Sequence, residues 1–195
     1  MTSAFSDVSQ DDLARLIADH PLAWIVARGD PACATPMPLL LERGADGEPL
    51  SLLGHLPKRH PLVAAFVSNP VGLFLFQGPH GYITPEWLPD KDWAPTWNFA
   101  VATIEAEVAI DPVLTDQALG RLVAHMERDR ATPWGADALG DRYAQLRDRV
   151  TGFRASITGW RARFKLGQDE SDTGFAAIVA GLGDSDLARW MIAAR

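Results

Sequence analysis

A long stretch of alternating side chains, WNFAVATIEAEVAI at residues 97–110, constrains the fold more than any other feature of this sequence. Successive side chains of a β-strand point to opposite faces of its sheet, so a period of two is typical of a strand with one buried face. Asp111-Pro112 ends the pattern. We therefore predict a long strand packed on a core. Its apolar positions are Ala102, Ile104, Ala106, Val108 and Ile110, and the positions between them are Thr103, Glu105, Glu107 and Ala109.

Most of the other predicted strands lie in the first half of the chain and are joined by short turns. Segregated strands of this kind favour an antiparallel barrel with helices outside it over repeated β-α-β units. We therefore predict a mainly β, α+β protein with a single domain over residues 1–195 and with peripheral helices concentrated at about 112–150 and 171–195. The remaining predicted strands are 22–27, 34–42, 50–55, 71–78, 81–84 and 153–164, and we expect 22–27 and 71–78 to be buried. The predicted helices are one capped by Ser9 and ending near His20, then 57–67, 113–130, 138–150, 174–182 and 186–194.

The composition is that of an acidic globular protein. Its 18 Lys and Arg against 25 Asp and Glu give a net charge of −7 at pH 7, which argues against direct DNA binding because a phosphate backbone needs a dense basic surface. The single Cys33 excludes an internal disulfide and a cysteine-cluster metal site. No signal-peptide pattern and no stretch of about 18 apolar residues occurs, so we expect a cytoplasmic protein without a membrane span.

Residues 76–99, FQGPHGYITPEWLPDKDWAPTWNF, form an aromatic, proline-rich block. The block holds three of the seven Trp and one of the two Tyr. It has too many prolines for a helix and too many aromatic rings for a disordered linker. Because aromatic surface is costly to leave in water, the block predicts either a surface for a flat ligand or another subunit, or a loop packed into the core.

Familiar catalytic and metal-binding motifs are absent from the sequence. There is no GxGxxG after a strand, no GxxxxGK[ST], no HExxH and no GxSxG. None of the five His pairs with another at a spacing typical of metal ligands. We therefore predict no metal site, and the sequence leaves the catalytic residues, if there are any, unknown.

The turn GHLPKRHP at residues 54–61 gathers polar and cationic side chains between a predicted strand and a predicted helix. An anion at the start of a helix gains from free backbone N–H groups and from the helix dipole. In an otherwise acidic chain, His55, Lys58 and Arg59 therefore make this turn a candidate phosphate seat. A solvated basic turn is the alternative.

Three other places offer polar or planar groups, each with a structural alternative. Thr35 lies on a proline-containing strand, and its hydroxyl can bond a ligand, or the segment is only a protected edge strand. Trp97 and Asn98 suit a planar heterocycle or a subunit interface, or they fill the core. Lys165 and Gln168 can reach a ligand's polar edge, or they end the late strand at the surface.

Together, these segments resemble the PaiB-type family of FMN-binding negative transcriptional regulators. The segments ATPMPL, GHLPKRHP, FQGPHGYITPEW, PTWNF and GFRASITGWRARFKLGQ occur in order, and the family pattern is close to GHxAxxNP, FxGPxAYISPSWY, VPTWNY and a late GFxxxI with KLSQNR. The resemblance covers the chain from about Phe5 to Leu182, and GPHGYITPEW and PTWNF are its most specific parts. It implies an antiparallel, Greek-key, FMN-binding split β-barrel, usually a homodimer with flavin at the subunit interface.

The resemblance also implies a set of cofactor-binding residues. On matching motif positions, His55 and Lys58 lie on the phosphate side, and Thr35 and Met37 line the flavin from the second strand. The remaining implied positions are Gln77 and Gly78 at the GP turn, Trp97 and Asn98 from the partner subunit, and Lys165 and Gln168 at the end of the late strand. A single phosphate seat without a dinucleotide motif favours FMN over FAD.

Several positions depart from the family pattern. His60 stands where Asn is usual, Pro57 where Ala is usual, and Leu88 where Tyr is usual. Pro36 replaces a His, and Glu170 replaces an Arg, which reverses a charge at the end of the late strand.

Three functions fit these observations. The first is an FMN-binding sensor or regulator that acts through a protein partner, since no basic recognition helix is evident. The second is a flavin oxidoreductase that uses NAD(P)H, because flavin needs few catalytic side chains. The third, motivated by the departures from the family pattern, is a flavin-free interaction module.

Overall fold

A computed structural model of the chain describes residues 5–89 and 92–195. Residues 90 and 91 of the aromatic block and residues 1–4 of the predicted domain lie outside this described part. The strands are β1 Leu22–Ala27, β2 Asp30–Pro38, β3 Leu40–Arg43, β4 Pro49–Pro57, β5 Val71–Ile83, β6 Thr96–Ile110 and β7 Val150–Lys165. The helices are α1 Gln10–Asp19, α2 Pro61–Ser68, α3 Thr115–Glu127, α4 Arg142–Arg147, α5 Asp172–Leu182 and α6 Asp186–Ala193, with 3₁₀ turns at Pro85–Trp87, Pro112–Leu114 and Ala136–Leu139.

The strands form one seven-stranded sheet in the order β2-β1-β5-β6-β7-β4-β3, and every pair of neighbours is antiparallel. The predicted long strand is confirmed as β6, whose even-numbered side chains from Asn98 to Val108 are buried. The sheet curls around a core that contains Phe74, Phe76 and Phe153, each at most 1 % exposed. The predicted class, an antiparallel split barrel with helices outside it, is confirmed.

Helices close the barrel and cover part of its outer face. The capping box at the start of α1 is confirmed, since Asp12 N donates to Ser9 Oγ at 3.0 Å and Ser9 N donates to Asp12 Oδ2 at 3.2 Å. This helix buries Leu13, Leu16 and Ile17 against the core. Fully burying each such side chain contributes about 1.5–3 kcal/mol.

The barrel is open between β2 and β4. The terminal strands β2 and β3 are not hydrogen-bonded to each other. The β3–β4 ladder ends at the pair Leu40–Leu53, so the last residues of β4, from Gly54 to Pro57, pair only with β7. These residues have a free edge, β2 also has a free outer edge, and the two strands contact each other across the gap without a ladder. We call this gap the split.

Four of the differences between the predicted and the observed elements change the course of the chain. The predicted strand 34–42 is two strands, because Leu39 leaves both ladders and its N–H donates to Pro21 O at 2.9 Å. The predicted strands 71–78 and 81–84 are one strand, β5, which passes through a bulge between Gln77 and His80. Helix α2 begins only at Pro61 because β4 runs on to Pro57. The predicted helix 138–150 is reduced to α4 with a preceding 3₁₀ turn.

Candidate functional site

Three of the expected residues lie on the two strands that border the split, and a fourth follows directly after one of them. Thr35 and Met37 lie on β2, opposite the buried Ile25 and Ala23 of β1. Cross-strand partners point to the same face of a sheet, so both side chains are on the core side of β2, and both are half-buried. His55 lies on the free part of β4, and Lys58 follows directly after that strand.

His55 carries an unsatisfied polar atom on the outer face of β4, the face on which Leu53 packs against α3. Its side chain is partly buried, and its Nδ1 is buried without a hydrogen-bond partner in the described part of the chain. Burial lowers the pKa of His55 below its usual value because the charged imidazole loses water. The ring is therefore neutral near pH 7 and offers a donor or an acceptor to a ligand.

The cationic turn after β4 is exposed. Lys58 and Arg59 make no ion pair with any residue that the structure describes. The start of α2 is already capped, since Leu62 N donates to His60 Nδ1 at 3.2 Å. An anion at this turn would therefore depend on the two side-chain cations more than on the helix terminus.

A groove of about 590 Å³ lies on the outer face of β1, β2 and β5, and we call it the outer groove. Trp24 of β1 is 51 % exposed there, and Leu75 of β5, its cross-strand partner, is 38 % exposed. Large apolar side chains exposed side by side on a sheet indicate an interaction surface. The other lining residues are Asp19, His20, Pro21, Leu22, Pro36, Pro38, Gln77, Gly78, His80, Leu122 and Met126.

The sequence analysis missed Trp24 and Leu22 as surface residues. The prediction that strands 22–27 and 71–78 are buried was wrong for this face, because β1 and β5 alternate between buried and more exposed residues. Leu22 is 58 % exposed. The signal was present in the sequence: Leu22 and Trp24 are two residues apart, with the small Ala23 between them.

The bulge in β5 positions Gln77 and Gly78 at one end of the outer groove. The Gln77 amide nitrogen lies 3.1 Å from His80 Nδ1, so these two side chains support each other. A Cβ on Gly78 would lie 2.4 Å from Leu16 Cδ1, which shows that α1 approaches the backbone closely here. A residue with a side chain would not fit at position 78, which explains the glycine in the GP turn.

Trp97 lies on the same outer face of the sheet, next to His80 at the end of the outer groove. Its indole is 53 % exposed, stacks against the His80 ring at a centroid distance of 6.1 Å, and meets the Tyr82 ring edge-on at the same distance. The three rings form an aromatic cluster on the outer face. The alternative that Trp97 fills the core does not fit this placement.

The other three expected residues already have partners within the chain. Asn98 is 2 % exposed, and its Nδ2 donates to Met191 Sδ at 3.5 Å beneath α6. Lys165 Nζ donates to Thr96 Oγ1 at 2.5 Å. Gln168 accepts from the N–H of Leu166 and donates to the carbonyl of Phe164, so it ends β7 locally. The structure brings none of these three side chains to the split.

The chemical types of side chain at these two places match the two parts of FMN, its phosphate and its ring. The phosphate requires cationic or hydrogen-bonding groups, and Lys58, Arg59 and the unsatisfied His55 Nδ1 provide them at the end of β4 and in the turn after it. The isoalloxazine ring requires a flat, mostly apolar surface with a few polar groups, and the outer groove provides Trp24 and Gln77. In one protomer these two surfaces occupy different parts of the barrel.

The first comparison with known proteins decides the family. Residues 1–159 match the family model described as "Putative FMN-binding domain". The chain belongs to this FMN-binding family, whose cofactor is FMN. It is also 22 % identical over 186 residues to the protease synthase and sporulation protein PAI 2 of Bacillus subtilis, covering 93 % of this chain and 88 % of that protein. The PaiB-type resemblance is thereby confirmed.

Solved structures show the same fold at low sequence identity. The FAD and heme binding protein of Mycobacterium smegmatis is 15 % identical, with a TM-score of 0.62 over 89 % of this chain and 80 % of that one. A flavocytochrome of Azotobacter vinelandii is 15 % identical, with a TM-score of 0.57 over 82 % of this chain and 69 % of that one. At these identities the likeness establishes the split-barrel fold alone.

Two further features of the described residues bear on function. No helix among them is both long and apolar enough to cross a membrane. No group of three or more His, Cys, Asp or Glu side chains in residues 5–89 and 92–195 is placed to hold a metal ion.

Proposed function

We propose that this protein is an FMN-binding sensor or regulator that works as a single-domain homodimer. The observation that carries the proposal is the free part of β4, where His55 Nδ1 is buried without a partner and Lys58 has no ion pair among the described residues. An unsatisfied buried polar atom is costly, so a ligand that bonds to it gains free energy. Lys58 would hold the phosphate, His55 would bond a polar group of the cofactor, and Thr35 and Met37 would line it from β2.

The homodimer rests on the outer face of the sheet. Leu22, Trp24, Tyr82 and Trp97 are each about half exposed there, between 49 and 58 %. Contact with a second copy would bury this surface and would bring its outer groove towards the split of the first protomer. In that arrangement Trp97 and Gln77 would contribute to the ring site across the subunit interface.

FMN, when bound, supplies reversible electron or hydride transfer. The side chains around it have a simpler task. Lys58 neutralises the phosphate, Trp24 shields the ring from water, and Gln77, held by His80, orients a hydrogen bond to the polar edge.

The regulatory role is supported by the name of the Bacillus subtilis relative, which ties that protein to protease synthesis and sporulation. The net charge of −7 argues against direct DNA binding, so a protein partner would carry the signal. A gel-shift series at increasing salt tests this part. Salt-sensitive, specific retardation of promoter DNA would contradict it.

An NAD(P)H-dependent oxidoreductase is the second candidate, and the residues at the end of the outer groove favour it. His20 and His80 both line the groove, and His20 Nε2, a buried atom without a hydrogen bond in the described part of the chain, lies 3.1 Å from Asp186 Oδ2. An imidazole beside a carboxylate is a group that can take part in proton transfer next to a redox cofactor. NAD(P)H-driven bleaching of bound flavin, faster than that of free flavin, would favour this candidate.

The experiment that tests the proposed function is an FMN fluorescence-quenching titration. Lys58→Ala should weaken FMN binding by about 10- to 150-fold, the equivalent of one charge-assisted hydrogen bond. Arg142→Ala, an exposed cation of α4 on the helical side of the protein, should leave the affinity unchanged. An unchanged dissociation constant in Lys58→Ala would remove Lys58 from the site.

Trp24→Ala tests the homodimer together with its contribution to the ring site. It should lower the dimer fraction in sedimentation velocity and should also weaken FMN binding, since the same face contributes to both. A monomeric wild-type protein that binds FMN tightly would refute the interface and leave the cofactor site standing.

A further inference from the structure

A separate cavity lies among the helices outside the barrel, between α3 and the segment 134–150. Its volume is about 370 Å³, and we call it the helical cavity. None of the residues assigned above to the flavin lines it. The lining residues are Leu119, Val123, Trp134, Ala136, Leu139, Tyr143, Leu146, Arg147, Arg149 and Val150.

The walls of the helical cavity are apolar but not packed together. None of its lining side chains is fully buried, and neither α4 nor the 3₁₀ turn at Ala136–Leu139 buries a single residue. The buried residues of α3, Thr115 and Ala118, are not among those lining it. An apolar cavity of this kind holds water poorly and gains free energy when an apolar ligand fills it.

The walls come from opposite sides, which suits a small molecule better than a flat protein surface. Leu119 and Val123 of α3 form one wall, and Leu139 and Leu146 form the other. Trp134 lies at the rim, 44 % exposed, and its backbone N–H donates to Glu127 Oε2 at 3.0 Å, which ties the rim to α3.

Two arginines line the helical cavity, and only one of them is free to bind a ligand. Arg147 is occupied, since it pairs with Asp116 at 3.2 Å and with Asp148 at 3.3 Å, and Tyr143 also donates to Asp116. Arg149 makes no ion pair with any described residue and is exposed. An available guanidinium beside an apolar cavity complements a molecule with an apolar body and one carboxylate.

We propose that the helical cavity binds a small amphipathic carboxylate, with an aromatic or short alkyl body between α3 and α4 and its carboxylate on Arg149. The volume supports this size class, because an apolar cavity of about 150 Å³ already accommodates benzene. The helical cavity shares no residue with the proposed flavin site, so the two sites should bind their ligands independently. They are neighbours through the backbone, since Lys58 N donates to Arg149 O at 2.9 Å. The carboxylate would therefore bind to the residue that is hydrogen-bonded to Lys58 of the proposed phosphate seat.

Calorimetric titration with 4-phenylbutyrate and with 4-phenylbutanol tests the proposal. The two probes share the same apolar body and differ in charge. The wild-type protein should bind the carboxylate at least about tenfold more tightly than the alcohol. Arg149→Gln should abolish this difference, whereas Arg142→Gln, an exposed arginine of α4 outside the cavity lining, should preserve it.

Filling the cavity is the second test. Leu146→Trp should eliminate binding of both probes. Ala136→Leu is a smaller change that should weaken binding of both probes, and it serves as the test if Leu146→Trp does not fold. Equal affinity for the two probes, or no binding by the wild-type protein, would overturn the proposal. Displacement of 4-phenylbutyrate by saturating FMN would overturn the independence of the two sites, and FMN binding without any probe binding would leave only the flavin site.

Discussion

Glu42→Gln should destabilise the protein because Glu42 connects three parts of the fold. Its carboxylate lies on β3, is 16 % exposed, and accepts hydrogen bonds from Arg121 of α3, Arg154 of β7 and Ser51 of β4. The Arg154 Nε and Ser51 Oγ contacts are both 2.7 Å. Gln keeps the size of the side chain and removes the charge.

The magnitude follows from the pKa of Glu42. Burial alone raises this pKa, but the hydrogen bonds from Arg154, Ser51 and Arg121 outweigh burial and lower it from 4.5 to about 2. A difference of this size corresponds to about 3 kcal/mol of stabilisation. Both arginines are exposed by 38 % or more and are therefore screened by water, so we expect a loss of about 2 kcal/mol in the free energy of unfolding.

The pH dependence has a definite sign. Because the folded pKa is lower than the unfolded one, the stabilisation is fully present above pH 4.5 and is lost as the pH falls towards 2. The difference between wild type and Glu42→Gln should therefore be largest near pH 7 and should shrink below pH 4.5.

Urea unfolding at pH 7 and at pH 3.5, followed by circular dichroism, measures both effects. Asp129→Asn is the matched control, since Asp129 is 86 % exposed and pairs with Arg128 at 3.3 Å, and it should change stability by less than about 0.5 kcal/mol. Equal stability of wild type and Glu42→Gln at pH 7, or a difference that does not change with pH, would show that the Glu42 carboxylate does not stabilise the fold.

Three smaller changes test other parts of the fold. Ser9→Ala removes the α1 cap and should cost about 1 kcal/mol in urea unfolding, whereas no loss would mean that the capping box contributes nothing. Gly181→Ala should cost about 1–3 kcal/mol, because its Cβ would lie 2.3 Å from Trp87 Cδ2, and a neutral effect would show that the indole moves aside. Burial lowers the pKa of His55, so the unfolded chain takes up a proton more readily than the folded one, and stability should fall as the pH falls below 6.5. His55→Gln should flatten the stability–pH curve in this range, and an unchanged slope would show that His55 does not cause the fall.

Local signals in the sequence predicted most of the fold. The alternation in residues 97–110, the capping box at Ser9 and the strand-rich first half all survive in the structure, because each depends on nearby residues. The break at Leu39 and the continuous β5 could not be predicted in this way. Both depend on hydrogen bonds to distant segments, namely from Leu39 to Pro21 and between β5 and β6.

The candidate site was predictable in part. The motif positions led to Thr35 and His55, which lie on the strands that border the split, and to Lys58, which follows directly after β4. They also led to Asn98, which the structure buries under Met191 of a helix 93 residues away in sequence. No local pattern indicates that cover, since it depends on where α6 packs.

The visible absorption spectrum of the freshly purified protein, followed by an FMN titration, shows whether this chain holds FMN. We expect bands of oxidised flavin, or tight saturable quenching of added FMN that is lost in Lys58→Ala. A colourless protein that does not bind micromolar FMN would contradict flavin binding and would favour a flavin-free interaction module.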